Sequence, residues 1–379
     1  MKKFLVKIFK LIIYIFAIIG FVLTTGYFAV RFGLTDIEGS KDINNTKYEN
    51  FALSDTYDLE EEVDSYEKEV AEKKMLCAID VVSNYGTKNA KNILDAYNKY
   101  KDQLLIKKML FAVEVRLGNS DYYNQIRNCQ NSTVYNQYSI SYLKIKLSKQ
   151  EGGASSVFPW SNSEEWEVVK SAILKDKDQI LSAGNDAGVD PRIILSVCLV
   201  EQFRLYNTQR EFYEQFFKPL QILGNANKMA WGVMSIKEAT AIKIENNLKD
   251  RDSDYYLGPE YENLLDFDLE DKNKQRYDRL TDEKNHYYSY LYGSLYLKQI
   301  MTQWSKKGYN INSRPEILGT LFNLGFGKSE PKKSPVVGGT NLEIGGENYT
   351  FGSLTHELYF SGELEEDFPL KYHSDLNTD

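Results

Sequence analysis

Gly188-Val189-Asp190-Pro191-Arg192-Ile193-Ile194-Leu195-Ser196-Val197-Cys198-Leu199-Val200-Glu201-Gln202 is the stretch whose residue types and spacing could do chemistry. Asp190 is a good helix N-cap, and Pro191 sits where proline is tolerated, at the first helical position. A helix starting there advances about 100° per residue, so Ile193, Ile194, Val197 and Cys198 form one apolar stripe with Glu201 inside it. Helix geometry therefore carries a carboxylate toward the core. A carboxyl group taken out of water resists ionisation and can serve as a general acid near neutral pH. The competing expectation is a partly exposed glutamate at the helix end, or one paired with Arg204 in a structural ion pair without chemistry.

Placing such a group requires a folded scaffold outside the reach of other function classes. The chain has 379 residues, enough for one large or two ordinary domains. Its net charge of −8 argues against a nucleic-acid binder, which needs a basic face. Three cysteines, Cys77, Cys129 and Cys198, are an odd number and give no disulfide framework; Cys77 and Cys198 fall in apolar helical patterns, where a thiol packs as a small hydrophobe. The histidines (His286, His356, His373) are scattered, and Asp250, Asp252 and Asp254 lack the glycine and terminal glutamate of a calcium loop. No metal site and no cofactor are expected. His356 is expected to pack rather than catalyse. The 28 tyrosines would suit a carbohydrate groove, but a bias toward Tyr, Asn, Lys and Ile produces the same count.

Lys2, Lys3, Lys7 and Lys10 precede an uncharged, mostly apolar run from Leu11 to Val30. Such a run matches the ~20 residues a helix needs to cross a bilayer. Excess basic charge before it predicts a cytoplasmic N-terminus, with the bulk of the chain extracytoplasmic. A cleaved signal peptide is the rival, but its apolar core is shorter, and Tyr27-Phe28-Ala29 lacks the small residue that cleavage requires upstream.

The expected organisation is mainly α-helical. Residues 1–33 form a membrane anchor, 34–57 a linker, 58–150 a helical domain, 158–330 a second helical domain, and 331–379 a tail with a hairpin. Gly86 and Gly118 mark helix breaks, and Gly152-Gly153 marks the domain boundary. An acidic stretch from Asp250 to Glu283 reads as a solvated surface insertion, with a flap over a cleft as the alternative. Leu342-Glu343-Ile344 and Tyr349-Thr350-Phe351 flank Gly345-Gly346, a β-hairpin signal.

Three segments together resemble a family. The segment from Gly188 to Glu201 is similar to the helix that delivers the catalytic glutamate in soluble lytic transglycosylases, relatives of goose-type lysozyme. Ala230-Trp231-Gly232-Val233-Met234-Ser235, with Glu238-Ala239-Thr240-Ala241 after it, is similar to that family's Gly-Leu-Met-Gln segment and its following Ala-Thr-Ala. Leu321-Phe322-Asn323-Leu324-Gly325 resembles its Ala-Tyr-Asn-Ala-Gly motif. Between these, Tyr288, Tyr292 and Tyr296 lie on a helix resembling the one that backs the cleft. The likeness spans roughly residues 170–328 and departs from the pattern at Gln202 (usually Ser), Ser235 (usually Gln) and Phe322 (usually Tyr).

The resemblance implies a lysozyme-like α domain over 158–330 that cleaves peptidoglycan glycan strands with Glu201 as the single catalytic group. It implies a sugar-binding set of Trp231, Gly232, Val233, Met234, Ser235, Tyr292, Phe322 and Asn323. Hydrolysis would need a second carboxylate, for which Asp266, Asp278 and Glu283 are available. A non-catalytic wall-binding or scaffold protein of an envelope complex is the alternative, with residues 58–150 as the surface for protein partners.

Overall fold

The computed structural model describes residues 2–31, 39–57, 65–150, 155–207 and 230–370. It is mainly helical, with three short two-stranded antiparallel pairings. An N-terminal helix α1 (Lys2–Arg31) runs for 30 residues, and its described apolar side chains, including Phe9, Leu11, Phe16 and Phe21, are exposed. Its side chains are described without interruption only over residues 9–22. Among the described residues, no helix is long and apolar enough to cross a membrane.

The first helical region surrounds α3 (Ser65–Ser83), against which α4 (Thr87–Tyr100), α5 (Gln103–Leu117), α6 (Ser120–Asn128), α7 (Ser132–Tyr135) and α8 (Ile140–Ser148) pack. Gly86 precedes α4 as its N-cap, and Gly118 ends α5 in the left-handed conformation, as the breaks in the pattern require. One expectation is corrected here. Cys77 on α3 is disulfide-bonded to Cys129, just after α6, while Cys198 stays free and buried. An odd count leaves one thiol over; it does not forbid a pair. The bridge closes a loop with a sequence separation of 52, for which chain-entropy reasoning gives about 4 kcal/mol against unfolding.

A second correction concerns the expected linker 34–57 over residues 39–57; residues 34–38 lie outside the described residues. Instead of a free tether, Ser40–Lys41 (β1) pairs with Gly338–Gly339 (β4), and Asn45–Tyr57 forms α2. This strap is held by polar groups that the pattern hides. Asp42 Oδ2 accepts from Thr350 Oγ1 at 2.7 Å, and Asn45 Oδ1 accepts from the Val337 amide at 2.7 Å. Tyr48 is buried edge-on against Phe111 and His356, and Phe51 stacks on Phe111 at 4.1 Å.

The second region contains α9 (Glu164–Lys175), α10 (Lys177–Ala187), α11 (Pro191–Asn207), α12 (Glu238–Lys249), α13 (Lys272–Thr281), α14 (Tyr287–Lys306) and α15 (Pro315–Leu324). The hairpin expected in the tail is present: β5 (Asn341–Ile344) pairs with β6 (Glu347–Thr350), and Gly345 and Gly346 both take positive φ, as a tight two-residue turn demands. Phe351 does not extend β6; it starts α16 (Phe351–Phe360), capped reciprocally by Thr350 and Ser353.

That last helix is the structural centre rather than part of a loose tail. Every residue of α16 is buried, and it packs on α5, α11 and α15. The two helical regions therefore share one continuous buried cluster. The acidic stretch 250–283 is mostly surface, as read from its composition, with α13 lying on α14.

Candidate functional site

Helix α11 begins as its sequence dictates. Asp190 Oδ1 accepts the Arg192 amide at 3.0 Å, and the stripe Ile193, Ile194, Val197 and Cys198 is buried. Glu201 follows the stripe inward and is only 4 % exposed. Its Oε2 accepts from Arg204 Nε at 2.9 Å and Nη2 at 2.6 Å. Arg204 is partly exposed, so the pair lies at the boundary between core and solvent. The inward carboxylate and the Arg204 partner, read from sequence as alternatives, are thus present together.

The turn at 232–235 comes against the same helix. Gln202 Nε2 donates to the Val233 carbonyl at 2.6 Å, and the Cys198 thiol approaches the same oxygen at 3.7 Å. Gln202, a departure from the family pattern, is what ties the helix to the turn. The turn connects β2 (Ala230–Trp231) to β3 (Ile236–Lys237). Gly232 has φ +69°, and a Cβ there would sit 2.2 Å from the Leu280 carbonyl oxygen, so glycine is required. Met234 is fully buried, with its amide donating to Ser289 Oγ on α14 at 3.2 Å. Ser235 takes φ +50°, and its hydroxyl oxygen is buried without a hydrogen-bond partner. A non-glycine residue in that conformation with an unmet hydroxyl is the kind of strain found at ligand sites. The Trp231 side chain lies outside the described set.

The remaining members of the expected sugar-binding set have partners inside the protein. Tyr292 is buried and its hydroxyl donates to Glu245 Oε1 at 2.6 Å; both Glu245 oxygens in turn receive Arg276, each at 2.6 Å. Phe322 is buried between Tyr296 and Phe351, with ring centroids at 5.0 and 6.4 Å. Asn323 Oδ1 accepts from the Thr340 amide and hydroxyl at 2.8 and 3.0 Å, holding the bend before β5. The structure brings Gln202 and Cys198, neighbours of Glu201 on α11, onto the 232–235 turn, while Tyr292, Phe322 and Asn323 are engaged with Glu245, with Tyr296 and Phe351, and with Thr340. Asp266 and Asp278 sit on the surface, paired with Lys249 and Lys274, and Glu283 is exposed. No cluster of histidine, cysteine and acidic side chains fit to hold a metal ion occurs among the described residues. No protein-family model, no curated protein and no solved structure matches this chain.

Two buried carboxylates perturbed in opposite directions lie elsewhere, around α16, and the residue pattern did not point to them. Glu357 is fully buried. Its Oε1 accepts from Arg116 at 2.9 and 2.7 Å, and Oε2 accepts from Trp160 Nε1 at 3.1 Å. Burial pushes its carboxyl up to about 7 in spite of Arg116 and Trp160, with Asp42 adding to the rise. Glu316 is buried too. There, burial acts upward, but Arg314 and His356 outweigh it and hold the group down at about 2. His356 Nδ1 lies 3.2 Å from Glu316, so this histidine is packed with a hydrogen-bond contact to that carboxylate.

The two carboxylates give opposite pH responses. A raised acid favours the folded state while protonated, so the Glu357 contribution is complete below about 4.5 and is lost as pH climbs through 7. The Glu316 contribution is present above about 4.5 and is lost only as pH falls toward 2. Between about pH 5 and pH 8 the wild-type protein should therefore lose on the order of 3 kcal/mol of stability from Glu357 alone. Glu357→Gln, which imitates the protonated acid, should show a flatter profile across that window. Urea midpoints measured at several pH values decide it: equal slopes for the two proteins would refute the assignment.

Proposed function

We propose that the chain is a membrane-anchored lytic transglycosylase that cleaves the β-1,4-linked glycan of peptidoglycan outside the cell membrane. The observation that carries the reading is a buried glutamate, Glu201, at the end of the apolar stripe of α11, next to Gln202, which ties the same helix to the glycine turn at 232–235. In the resembling family the corresponding helix delivers the catalytic glutamate, and in this chain the backbone around Gly232–Met234 would hold the sugar. Glu201 would act as general acid, donating a proton to the glycosidic oxygen as the bond to C1 breaks. The carboxylate so formed would take the proton from the C6 hydroxyl of the same muramic acid as that oxygen attacks C1. The product is a 1,6-anhydro sugar, and the glutamate regains the proton it gave. No second carboxylate is required, because the nucleophile belongs to the substrate. For the first step Arg204 must release Oε2, and its partial exposure leaves it room to turn toward solvent.

The Cys77–Cys129 bridge supports the extracytoplasmic location, since disulfides persist in oxidising compartments. Residues 11–30, flanked on the N-terminal side by four lysines, would supply the anchor, with the N-terminus in the cytoplasm. Residues 58–150 would then face envelope proteins.

A second reading, a non-catalytic wall-binding or scaffold protein, is favoured by one observation: Arg204 occupies the carboxylate that would have to act as acid. Mass analysis of the products formed by the full chain on purified peptidoglycan separates the two. Anhydro-ended fragments are expected. Fragments with reducing ends would mean that water is the nucleophile, and retention on peptidoglycan without released fragments would replace the enzyme by the binder.

A further inference from the structure

Ile43 lies in the turn between β1 and α2, immediately after the buried Asp42, and is 96 % exposed. Two other apolar side chains surround the same strap. Leu324, at the end of α15, approaches Gly39 so closely that a Cβ there would meet its Cδ2 at 2.6 Å. Val336 precedes Val337, whose carbonyl accepts the Asp42 amide at 2.9 Å. Leu324 and Val336 are both exposed. Single exposed aliphatic residues are ordinary. Ile43 and Val336 flank the Asp42–Val337 hydrogen bond at one end of the β1–β4 pairing and Leu324 lies by Gly39 at the other, so the three line one strap and leave it an apolar edge for an occupant.

Charge and chain length identify it. The protein carries net charge −8, yet residues 324–336 hold Lys328, Lys332 and Lys333 against one carboxylate, Glu330, and Lys41 lies on β1; all four lysines are exposed. Helix α1 ends at Arg31, and the strap is fixed to the body from Ser40. The residues between can span at most about 30 Å even fully extended. Whatever surface holds α1 therefore lies within that distance of Ile43.

We propose that Ile43, Leu324 and Val336, with Lys41 on β1 and Lys328, Lys332 and Lys333 in the same 324–336 segment, rest on the outer face of the membrane beside the anchor. The aliphatic tips enter the headgroup region and the lysines meet anionic lipid. This rests on the reading of residues 11–30 as a membrane anchor. It adds a second contact, which fixes the orientation of the body above the bilayer.

The test uses the full chain reconstituted in vesicles of phosphatidylcholine and phosphatidylglycerol. Ile43→Cys provides a unique reactive thiol, because Cys198 is buried and the other two cysteines are bonded to each other. An environment-sensitive fluorophore at residue 43 should shift to the blue and be quenched by lipid-borne nitroxide. The same label in Val168→Cys, an exposed apolar position on α9, should do neither. Leu324→Cys should behave like residue 43. A water-like signal at 43 and 324, in protein that resists alkaline carbonate extraction, overturns the patch alone. Protein stripped from the vesicles by carbonate overturns the anchor beneath it.

Discussion

Glu201→Gln is expected to lower glycan cleavage by about two to four orders of magnitude, the usual worth of a positioned general acid. Glutamine keeps the shape of the side chain and an oxygen for Arg204, but it has no proton to give to a leaving glycosidic oxygen. Folding should survive the change. Arg204 is partly exposed and can turn to water when its ionic partner is gone, so no charge is trapped in the core. The measurement is the rate of muropeptide release by wild-type and variant proteins with matched thermal unfolding midpoints. A variant that folds normally and keeps full activity would remove Glu201 from the mechanism, and the enzyme reading with it.

How far the sequence went depended on whether a feature is local or long-range. The Asp190 cap, the Gly86 and Gly118 breaks and the turn at Gly345-Gly346 each rest on a few adjacent residues, and each is found where it was read. The inward direction of Glu201 was legible from helical period alone. The strap was not, because α2 meets the core through Tyr48 and Phe51 while Asp42 and Asn45 hide their partners some 300 residues away in Thr350 and Val337. The Arg116–Glu357 pair joins residues separated by 241 positions, and no spacing rule reaches so far. Tyr292 shows the limit from the other side: its helix was identified, but its hydroxyl meets Glu245 rather than any open groove. Packing chooses among inward-facing positions, and periodicity only says that they face inward.

Arg192 supplies the second large effect, this time on stability. It belongs to the same Gly188–Glu201 stretch, yet its work is done at the far end of the chain. The guanidinium is buried and donates to three carbonyls: Tyr359 at 2.7 Å, Phe368 at 2.6 Å and Glu363 at 3.0 Å. These carbonyls belong to the last turn of α16 and the segment after it, where helix ends leave acceptors unmet and where positive charge is favourable. Asp190 completes the joint by accepting the Tyr359 hydroxyl at 2.6 Å. Arg192→Met keeps much of the side-chain bulk but leaves three buried carbonyls without donors, each costing about 1–3 kcal/mol if unmet. With partial relaxation, a loss of roughly 3–5 kcal/mol is expected, a large share of the 5–15 kcal/mol of a whole domain. A urea unfolding curve with an unchanged slope and a much lower midpoint would bear this out; a midpoint near that of the wild type would mean that the segment 361–370 is held by other contacts. The pair of variants also divides the motif by mechanism. Glu201→Gln should fold and fail to cleave, whereas Arg192→Met should fail to hold α11 against α16, losing activity only in proportion to the folded protein that remains.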